Sequence, residues 1–243
     1  MNAKQLSDIL KTAESIVFFG GAGMSTESGI ADFRSENGLY KTAQGFEYPP
    51  ETMLSHSFFV SHTKEFFKYY KEKMLFKDAL PNAGHKALAV LEEMGKLKAV
   101  ITQNIDGLHQ LAGSKNVYEL HGSVHRNYCT GCREFYGLDY ILASDDIPTC
   151  TRCNSVIKPD VVLYEESLNE DVITSAVRAI QNAEIMIIGG TSLVVYPAAG
   201  LVNYFKGKKL ILINKSSTPY DSKAHIVIND SVGKLLGSAV DLL

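Results

Sequence analysis

The sequence predicts an α/β protein: a doubly wound, Rossmann-like parallel sheet with a smaller helical and zinc-binding module inserted into it. Three observations carry this expectation. Helical patterns alternate with short runs that are apolar on both faces, such as "SIVFF", "KAVIT", "EIMIIGG" and "KLILI", as strands covered on both sides of a parallel sheet must be. Polar or glycine-rich loops follow these runs, at the strand ends where such sheets bind ligands. All four cysteines fall between positions 129 and 153 as two Cys-x-x-Cys pairs, a pattern that marks off a metal-folded segment.

The elements follow in chain order. Over 3–14, Leu6, Ile9, Leu10 and Ala13 share one helical face, and "SIVFFGG" continues as a buried strand running into a glycine turn. Residues 36–79 are aromatic-rich and helix-like. "AGHKALAVLEEMG" spaces Ala87, Leu88, Leu91 and Met94 as a stripe that Gly95 closes, and the strand "KAVIT" follows. The helix "EDVITSAVRAIQNA" precedes the strand "EIMIIGG", "LVNYFKG" precedes "KLILIN" in the same way, and the short strand "HIVI" ends the series. The expected division gives 1–35, 80–124 and 157–243 to the sheet domain, and 36–79 and 125–156 to the small module.

Composition narrows the function classes. A chain of 243 residues, 45% hydrophobic and 21% charged, buries a full globular core. Its 24 basic and 27 acidic residues give a net charge of -3, with no electrostatic footprint for nucleic acid or anionic membrane. The apolar runs fall far short of the roughly 18 residues a membrane span needs. The N-terminal "MNAKQLSDILKTAES" lacks the apolar core and cleavage site of a secretory signal, so a cytoplasmic location is expected. In that setting paired cysteines read as metal ligands before disulfides.

Three motifs carry chemistry. Gly21-Ala22-Gly23 follows a strand as a dinucleotide fingerprint does, but Thr26 stands where the third glycine belongs; a phosphate-cradling loop and a tight strand-to-helix turn both fit. Cys129, Cys132, Cys150 and Cys153, with 17 residues between the pairs, have the spacing of a four-cysteine zinc ribbon. A closed thiolate set leaves no open coordination position, so such a zinc is structural; redox dithiols or unliganded cysteines are the alternatives. Past the strand "KAVIT" come Gln103, Asn104, Asp106 and His109, and "ELHGSVH" carries His121 before a glycine. An imidazole near neutrality beside a nucleotide loop suits a general base. The competing reading is a satisfied structural histidine, and it holds for His109 and His125.

Taken together, "GAGMS", "GIADFRS", "TQNIDGLH", "LHGS", the two Cys-x-x-Cys pairs, "IKPDVVLYEE", "GGTSLVVYPAA" and "LIN" resemble the sirtuin family of bacterial type, the NAD-dependent protein deacylases, over nearly the whole chain and in the family's order. The resemblance implies that Ala22, Ser25, Thr26, Phe33 and Arg34 touch NAD, with Phe33 shielding the reacting ribose carbon. It implies that Asn104, Ile105 and Asp106 form the nicotinamide pocket and that Gln103 orients the ribose. It makes Asn104 and His121 the catalytic residues, with His121 also meeting the cofactor. Gly190, Thr191, Ser192 and Asn214 would hold the adenosine half, with Asp230 beside the adenine. Val161, Val162, Leu163 and Tyr164 would bind the peptide as an added strand, and Val161 and Val162 would also wall the acyl tunnel unless they are only core strand. The implied cofactors are NAD and one structural Zn2+.

By the same resemblance, the acyl oxygen attacks the ribose carbon as nicotinamide leaves, and His121 acts as base through the ribose hydroxyls. The products are free lysine, nicotinamide and 2'-O-acyl-ADP-ribose. Acylated-lysine proteins are the implied partners of a monomer.

Two departures stand out: Tyr164-Glu165-Glu166 occupies the place of Phe-Gly-Glu, and Ala31 that of a common proline. Phe67 and Tyr70 match the positions where succinyl- and malonyl-preferring sirtuins carry Tyr-x-x-Arg. Lacking the arginine's charge-assisted bond, the chain is expected to prefer acetyl or other uncharged acyl groups. A protein mono-ADP-ribosyltransferase on the same fold is the alternative. A dehydrogenase and a non-catalytic NAD-sensing zinc module are further readings.

Overall fold

The computed structural model describes residues 1–35, 38–42 and 45–243, with the backbone alone at 41 and 42. Positions 36, 37, 43 and 44 of the expected small module lie outside the described residues. Six parallel strands form the main sheet: β1 (Ile16–Gly20), β2 (Leu97–Thr102), β3 (Val117–Glu119), β7 (Ile185–Gly189), β8 (Lys209–Ile213) and β9 (Ile226–Ile228). They lie in the order β3-β2-β1-β7-β8-β9. This is Rossmann connectivity, in which successive strands run outward on either side of β1 and a crevice opens where the direction reverses.

The apolar runs are continuous because alternate side chains feed different cores. Ile16, Phe18, Val100, Ile187 and Ile211 enter one cluster with the helices α1 (Ala3–Thr12), α6 (Ala83–Glu93) and α10 (Val232–Val240). Val17, Phe19, Ile101, Ile188 and Leu212 enter a second with α9 (Glu170–Gln181) and the 3-10 stretch Ala198–Tyr204. Asn2, Asn82 and Asn169 cap α1, α6 and α9 by accepting first-turn amides. Where "LVNYFKG" was expected to be α-helical, the segment winds as 3-10 from Ala198 to Tyr204 and turns extended at Phe205. Gly200, β-branched Val202 and the aromatics at 204 and 205 give it little helix propensity.

The small module contains the short helices α2 (Leu39–Thr42), α3 (Pro50–Met53), α4 (His56–Ser61) and α7 (Leu108–Leu111) beside it, α5 (Thr63–Lys73), and α8 (Leu138–Ala143). Its sheet is antiparallel: β4 (Gly122–Cys129) lies between β5 (Phe135–Tyr136) and β6 (Ile157–Val161). Strand 157–161 thus pairs with 122–129 and stands outside the parallel sheet, whereas the sequence reading gave both 122–124 and 157–161 to the sheet domain. Register explains the shift, since Gly122 opposite Val161 and Cys129 opposite Ile157 span the whole of β6. An aromatic core of Phe58, Phe59, Phe66, Phe67, Tyr69 and Tyr70 fills the module. Among the described residues no helix is long and apolar enough to cross a membrane.

Candidate active site

The carboxyl ends of β1, β2 and β7 converge on one polar cluster. The glycines after β1 are small because another backbone lies against them. A Cβ on Gly23 would stand 2.8 Å from the Gly190 Cα and carbonyl oxygen, and one on Gly190, at φ +62°, would stand 2.3 Å from the Met24 nitrogen. Gly23 donates its amide to the Gly190 carbonyl at 2.8 Å. Close approach of two loops, and not ligand contact alone, therefore accounts for the glycines. The interlock sets Gly21, Gly23 and Met24 against Gly190, and Gly21 against Thr191; the Thr26 hydroxyl turns back to the Gly23 carbonyl at 3.0 Å.

Ser25, 1% exposed, is the hub. Its hydroxyl donates to Asp106 Oδ2 at 2.6 Å and accepts from Asn104 Nδ2 at 3.0 Å. Asp106 Oδ1 accepts from the Leu108 amide at 2.9 Å, and the Asn104 amide donates to Thr102 Oγ1 at 3.0 Å. Asn104 and Asp106 are thus fixed by side chains from two strand ends. Gln103 donates its amide to the Gly20 carbonyl at 3.0 Å and its Nε2 to Thr191 Oγ1 at 2.9 Å, which ties β1, β2 and β7 together. Ile105 packs toward the aromatic core while its carbonyl accepts from the Val124 amide at 3.0 Å.

His121 is half-buried between the two sheets, and its Nδ1 lies 3.0 Å from the Gln103 carbonyl. A carbonyl only accepts, so Nδ1 carries the hydrogen and Nε2 keeps its lone pair. Desolvation lowers the imidazole pKa against the opposing pull of that bond, which keeps the ring neutral and able to take a proton. Gly122 is required next to it: at φ +77° a Cβ would lie 1.8 Å from the Asp160 carbonyl oxygen. The His121 carbonyl accepts the Val162 amide at 2.9 Å.

The remaining expected residues scatter around this center. Phe33 is partly buried against the aromatic core, and Arg34 is exposed with its guanidinium 5.1 Å from the Tyr40 ring centroid. Ser192 is half-buried beside Thr191. Asn214, just past β8, donates Nδ2 to the Ser216 carbonyl at 2.8 Å. Asp230 is exposed, and its carboxylate accepts the Ser231 amide at 2.7 Å at the start of α10. Val161 and Leu163 are buried in the aromatic core, Val162 packs against the sheet's second cluster, and Tyr164 is exposed. Phe67 and Tyr70, the positions matched by resemblance to the Tyr-x-x-Arg of succinyl-preferring sirtuins, are fully buried in that aromatic core.

The four cysteine sulfurs lie within 4.8 Å of one another. Cys129 and Cys153 are 3.3 Å apart, Cys132 and Cys150 3.5 Å, and all are free thiols. A zinc tetrahedron with bonds of about 2.3 Å has edges of roughly 3.8 Å, so the set fits. Each pair closes by the same turn. Arg133 and Asn154, at φ 62° and 58°, donate their amides to the carbonyls of Cys129 and Cys150, while Gly131, Cys132 and Arg152 amides point at sulfur.

A Rossmann sheet whose strand ends gather a neutral histidine and an Asn-Ser-Asp cluster, next to a four-thiolate module, defines a zinc-containing nucleotide-binding protein. The Sir2 family model matches residues 21–197. Proteins named NAD-dependent protein deacetylase from Clostridium tetani and Clostridium acetobutylicum are 64% and 63% identical over 241 and 237 residues, covering 99% and 97% of this chain and 98% and 97% of theirs. A solved Sir2 complex with p53 peptide and NAD+ superposes with TM-score 0.86 at 40% identity, covering 100% of this chain and 98% of that one. A Sir2 protein bound to a propionylated peptide gives the same values. The chain belongs to the Sir2 family.

Proposed function

We propose that the protein removes acetyl and other uncharged acyl groups from protein lysine side chains, consuming NAD and releasing free lysine, nicotinamide and 2'-O-acyl-ADP-ribose. The carrying observation is His121, held through Nδ1 by the carbonyl of Gln103, the residue before Asn104 of the Ser25–Asn104–Asp106 cluster, in a chain more than 60% identical to NAD-dependent protein deacetylases. NAD supplies the ribose carbon that receives the acyl oxygen. In this reading the chain's own groups do the rest.

Asp106 and Asn104 bind the carboxamide of nicotinamide, Asp106 as acceptor and Asn104 through its amide oxygen, while one Nδ2 hydrogen of Asn104 goes to Ser25. Ala22, Ser25, Thr26, Ile105, Gly190, Thr191, Ser192 and Asn214 line the rest of the cofactor site, with Asp230 at its rim. Phe33 excludes water from the reacting carbon and Arg34 adds a positive charge. His121 Nε2 takes the ribose hydroxyl proton. The four thiolates hold a structural zinc, whose part is to fold the module that carries β6.

The peptide lies along 161–164. The amides of Val162, Leu163 and Tyr164 already donate to the His121 carbonyl, Glu166 Oε2 and the Leu54 carbonyl, and the Val161, Leu163 and Tyr164 carbonyls accept from Lys158 Nζ and the Glu166 and His56 amides, so among the described residues the main-chain group left for an added strand is the Val162 carbonyl. The buried Phe67 and Tyr70 support neutral acyl chains. The proposed setting is a cytoplasmic monomer acting on acylated-lysine proteins, and the near-even charge balance supports a protein without nucleic-acid or membrane partners. ADP-ribosyl transfer to protein gains no support from the named relatives or the peptide-bound structures.

The test is mass spectrometry of an acetyl-lysine peptide with and without NAD, for the native enzyme and His121→Ala. NAD-dependent free lysine and O-acetyl-ADP-ribose, lost in the variant, are expected. NAD consumption with the acetyl group retained would overturn the reading.

A further inference from the structure

The segment carrying Phe33 and Arg34 and the strand carrying Tyr164 are joined by one short side-chain bond: the Tyr40 and Tyr164 hydroxyls lie 2.6 Å apart. Each partner is embedded in a different part of the site. Tyr40 is bonded to the cofactor segment on three sides. Its amide donates to the Phe33 carbonyl at 3.0 Å, its ring meets Phe33 edge-on at a centroid distance of 5.7 Å, and the Arg34 guanidinium lies over its face. The neighboring Leu39 amide reaches the Asp32 carbonyl at 2.8 Å, and Asp32 Oδ1 accepts the Arg34 and Ser35 amides. These contacts make 32–35 and 39–40 one local unit.

Tyr164, by contrast, is pinned to the small module. Its amide donates to the Leu54 carbonyl and its carbonyl accepts the His56 amide, both at 3.0 Å. The next two residues reinforce this: the Glu165 carboxylate accepts from the Ser57 amide and hydroxyl at 2.9 and 3.0 Å, and the Glu166 carboxylate pairs with His56 Nδ1 at 2.8 Å and with Lys158 at 3.0 Å. Tyr164 is therefore the fixed end and Tyr40 the carried end. Burial and the neighboring Tyr164 push the Tyr40 phenol above its ordinary range, so it stays neutral and able to share a hydroxyl hydrogen.

We propose that the Tyr40–Tyr164 hydroxyl pair is a strut: two positioning residues through which the peptide-binding strand holds Phe33 and Arg34 at the cofactor. The inference rests on the NAD-dependent deacylase reading for its functional consequence, but its structural half does not need it. A neutral hydrogen bond contributes about 0.5–1.5 kcal/mol net, which corresponds to a factor of roughly two to twelve in an equilibrium. Because binding couplings are reciprocal, a strut that favors NAD when peptide is bound favors peptide equally when NAD is bound.

The experiment is a double-mutant cycle with Tyr40→Phe, Tyr164→Phe and the double variant, each keeping its ring and checked for native melting. Hydrogen exchange of the amides in 32–35 and 39–40 is read on the full chain without NAD. Each single change is expected to speed that exchange, and to raise the KM for NAD, by about two- to tenfold. The double variant should do no more than either single one. For Tyr40→Phe the effect should fall on KM for NAD more than on kcat. Unchanged exchange in both single variants, or a double effect equal to the product of the two, would overturn the strut. A native enzyme that fails to deacylate would sink the proposed function and leave the exchange cycle to judge the strut, whereas an active enzyme with unaltered exchange in the variants would sink the strut alone.

Discussion

Acidification should destabilize this protein through two histidines packed near Asp106 of the Ser25–Asn104–Asp106 cluster. His85 on α6 and His109 on α7 are 0% and 1% exposed, with ring centroids 4.7 Å apart and Phe18 against His109 at 6.1 Å. His85 Nδ1 accepts the Asn82 amide at 3.3 Å, but His85 Nε2 and both ring nitrogens of His109 have no hydrogen-bond partner among the described residues. Desolvation pulls the His85 pKa down to about 4, although nearby Asp106 opposes it, and desolvation followed by repulsion from His85 holds His109 well below 6.5.

The sign follows from proton uptake. Below pH 6.5 the unfolded chain binds protons that the folded one refuses, so stability is full above 6.5 and falls as pH drops toward 4. For His85 alone the whole loss is about 3 kcal/mol, at 1.36 kcal/mol per pKa unit. About 2 kcal/mol of it is gone by pH 5. His109 and the depressed His121 push in the same direction. The Glu166 carboxylate is lowered from 4.5, so its stabilization is lost only in the more acid range.

Urea titrations at pH 7, 6 and 5 measure the slope, with His109→Phe as the comparison because that change removes two unpartnered buried nitrogens and keeps a ring between Phe18 and His85. Proton competition at the thiolates acts on both proteins alike. A native stability that stays flat from pH 7 to 5, or an identical slope in the variant, would refute the reasoning.

Three other outcomes are expected. Cys129→Ser should abolish zinc retention by atomic emission and lower the melting temperature and activity together, because the metal folds the module that carries β6; full zinc content with native melting would remove the structural-zinc assignment. Succinyl-lysine peptide should be cleaved at least tenfold more slowly than acetyl-lysine peptide, since the α5 positions that would meet an acidic acyl group are buried Phe67 and Tyr70, and equal rates would contradict this. Glu165→Gly should change stability by less than about 1 kcal/mol, because relief of a left-handed φ of 75° offsets the loss of two bonds to Ser57; a loss above about 2 kcal/mol by urea titration would mean that the carboxylate cap dominates.

The parallel sheet was legible because its strands serve two cores at once, so β1, β2, β7 and β8 carry no polar residue on either face of their centers. Helix α10 was not. Its sequence holds Gly233 and Gly237, which lower helix propensity, yet both are there for packing. A Cβ on Gly237 would meet Ala83 at 2.7 Å, and Gly233 lies against Gly84. Strand β4 was hidden for the opposite reason, because its polar residues look like loop. In the fold Asn127 bonds the Val124 and Tyr136 carbonyls, and Arg126 bridges Glu119 and Asp160. Apart from Val124, which is in β4 itself, those partners lie in other segments, so no local pattern shows them.

The same distinction separates the parts of the site. Candidate residues at a strand end, such as Asn104, Asp106 and His121, can be proposed from sequence, since loop position and side-chain type together suggest their chemistry. Residues that act by holding another residue cannot. Ser25 fits a cofactor contact by motif, yet its geometry makes it the link between Asn104 and Asp106. Tyr40 carries no motif chemistry, and its place follows only from a bond to a residue 124 positions away. Val161 through Tyr164 show the limit most clearly. Their resemblance suggests four substrate contacts, but β pleating sends Val161 and Leu163 into the aromatic core and Val162 toward the main sheet. A substrate can then meet the Val162 carbonyl and Tyr164 there, because the Leu163 and Tyr164 amides and carbonyls are already bonded, which makes the exposed Tyr164 ring the part of the strand where peptide preference should be sought.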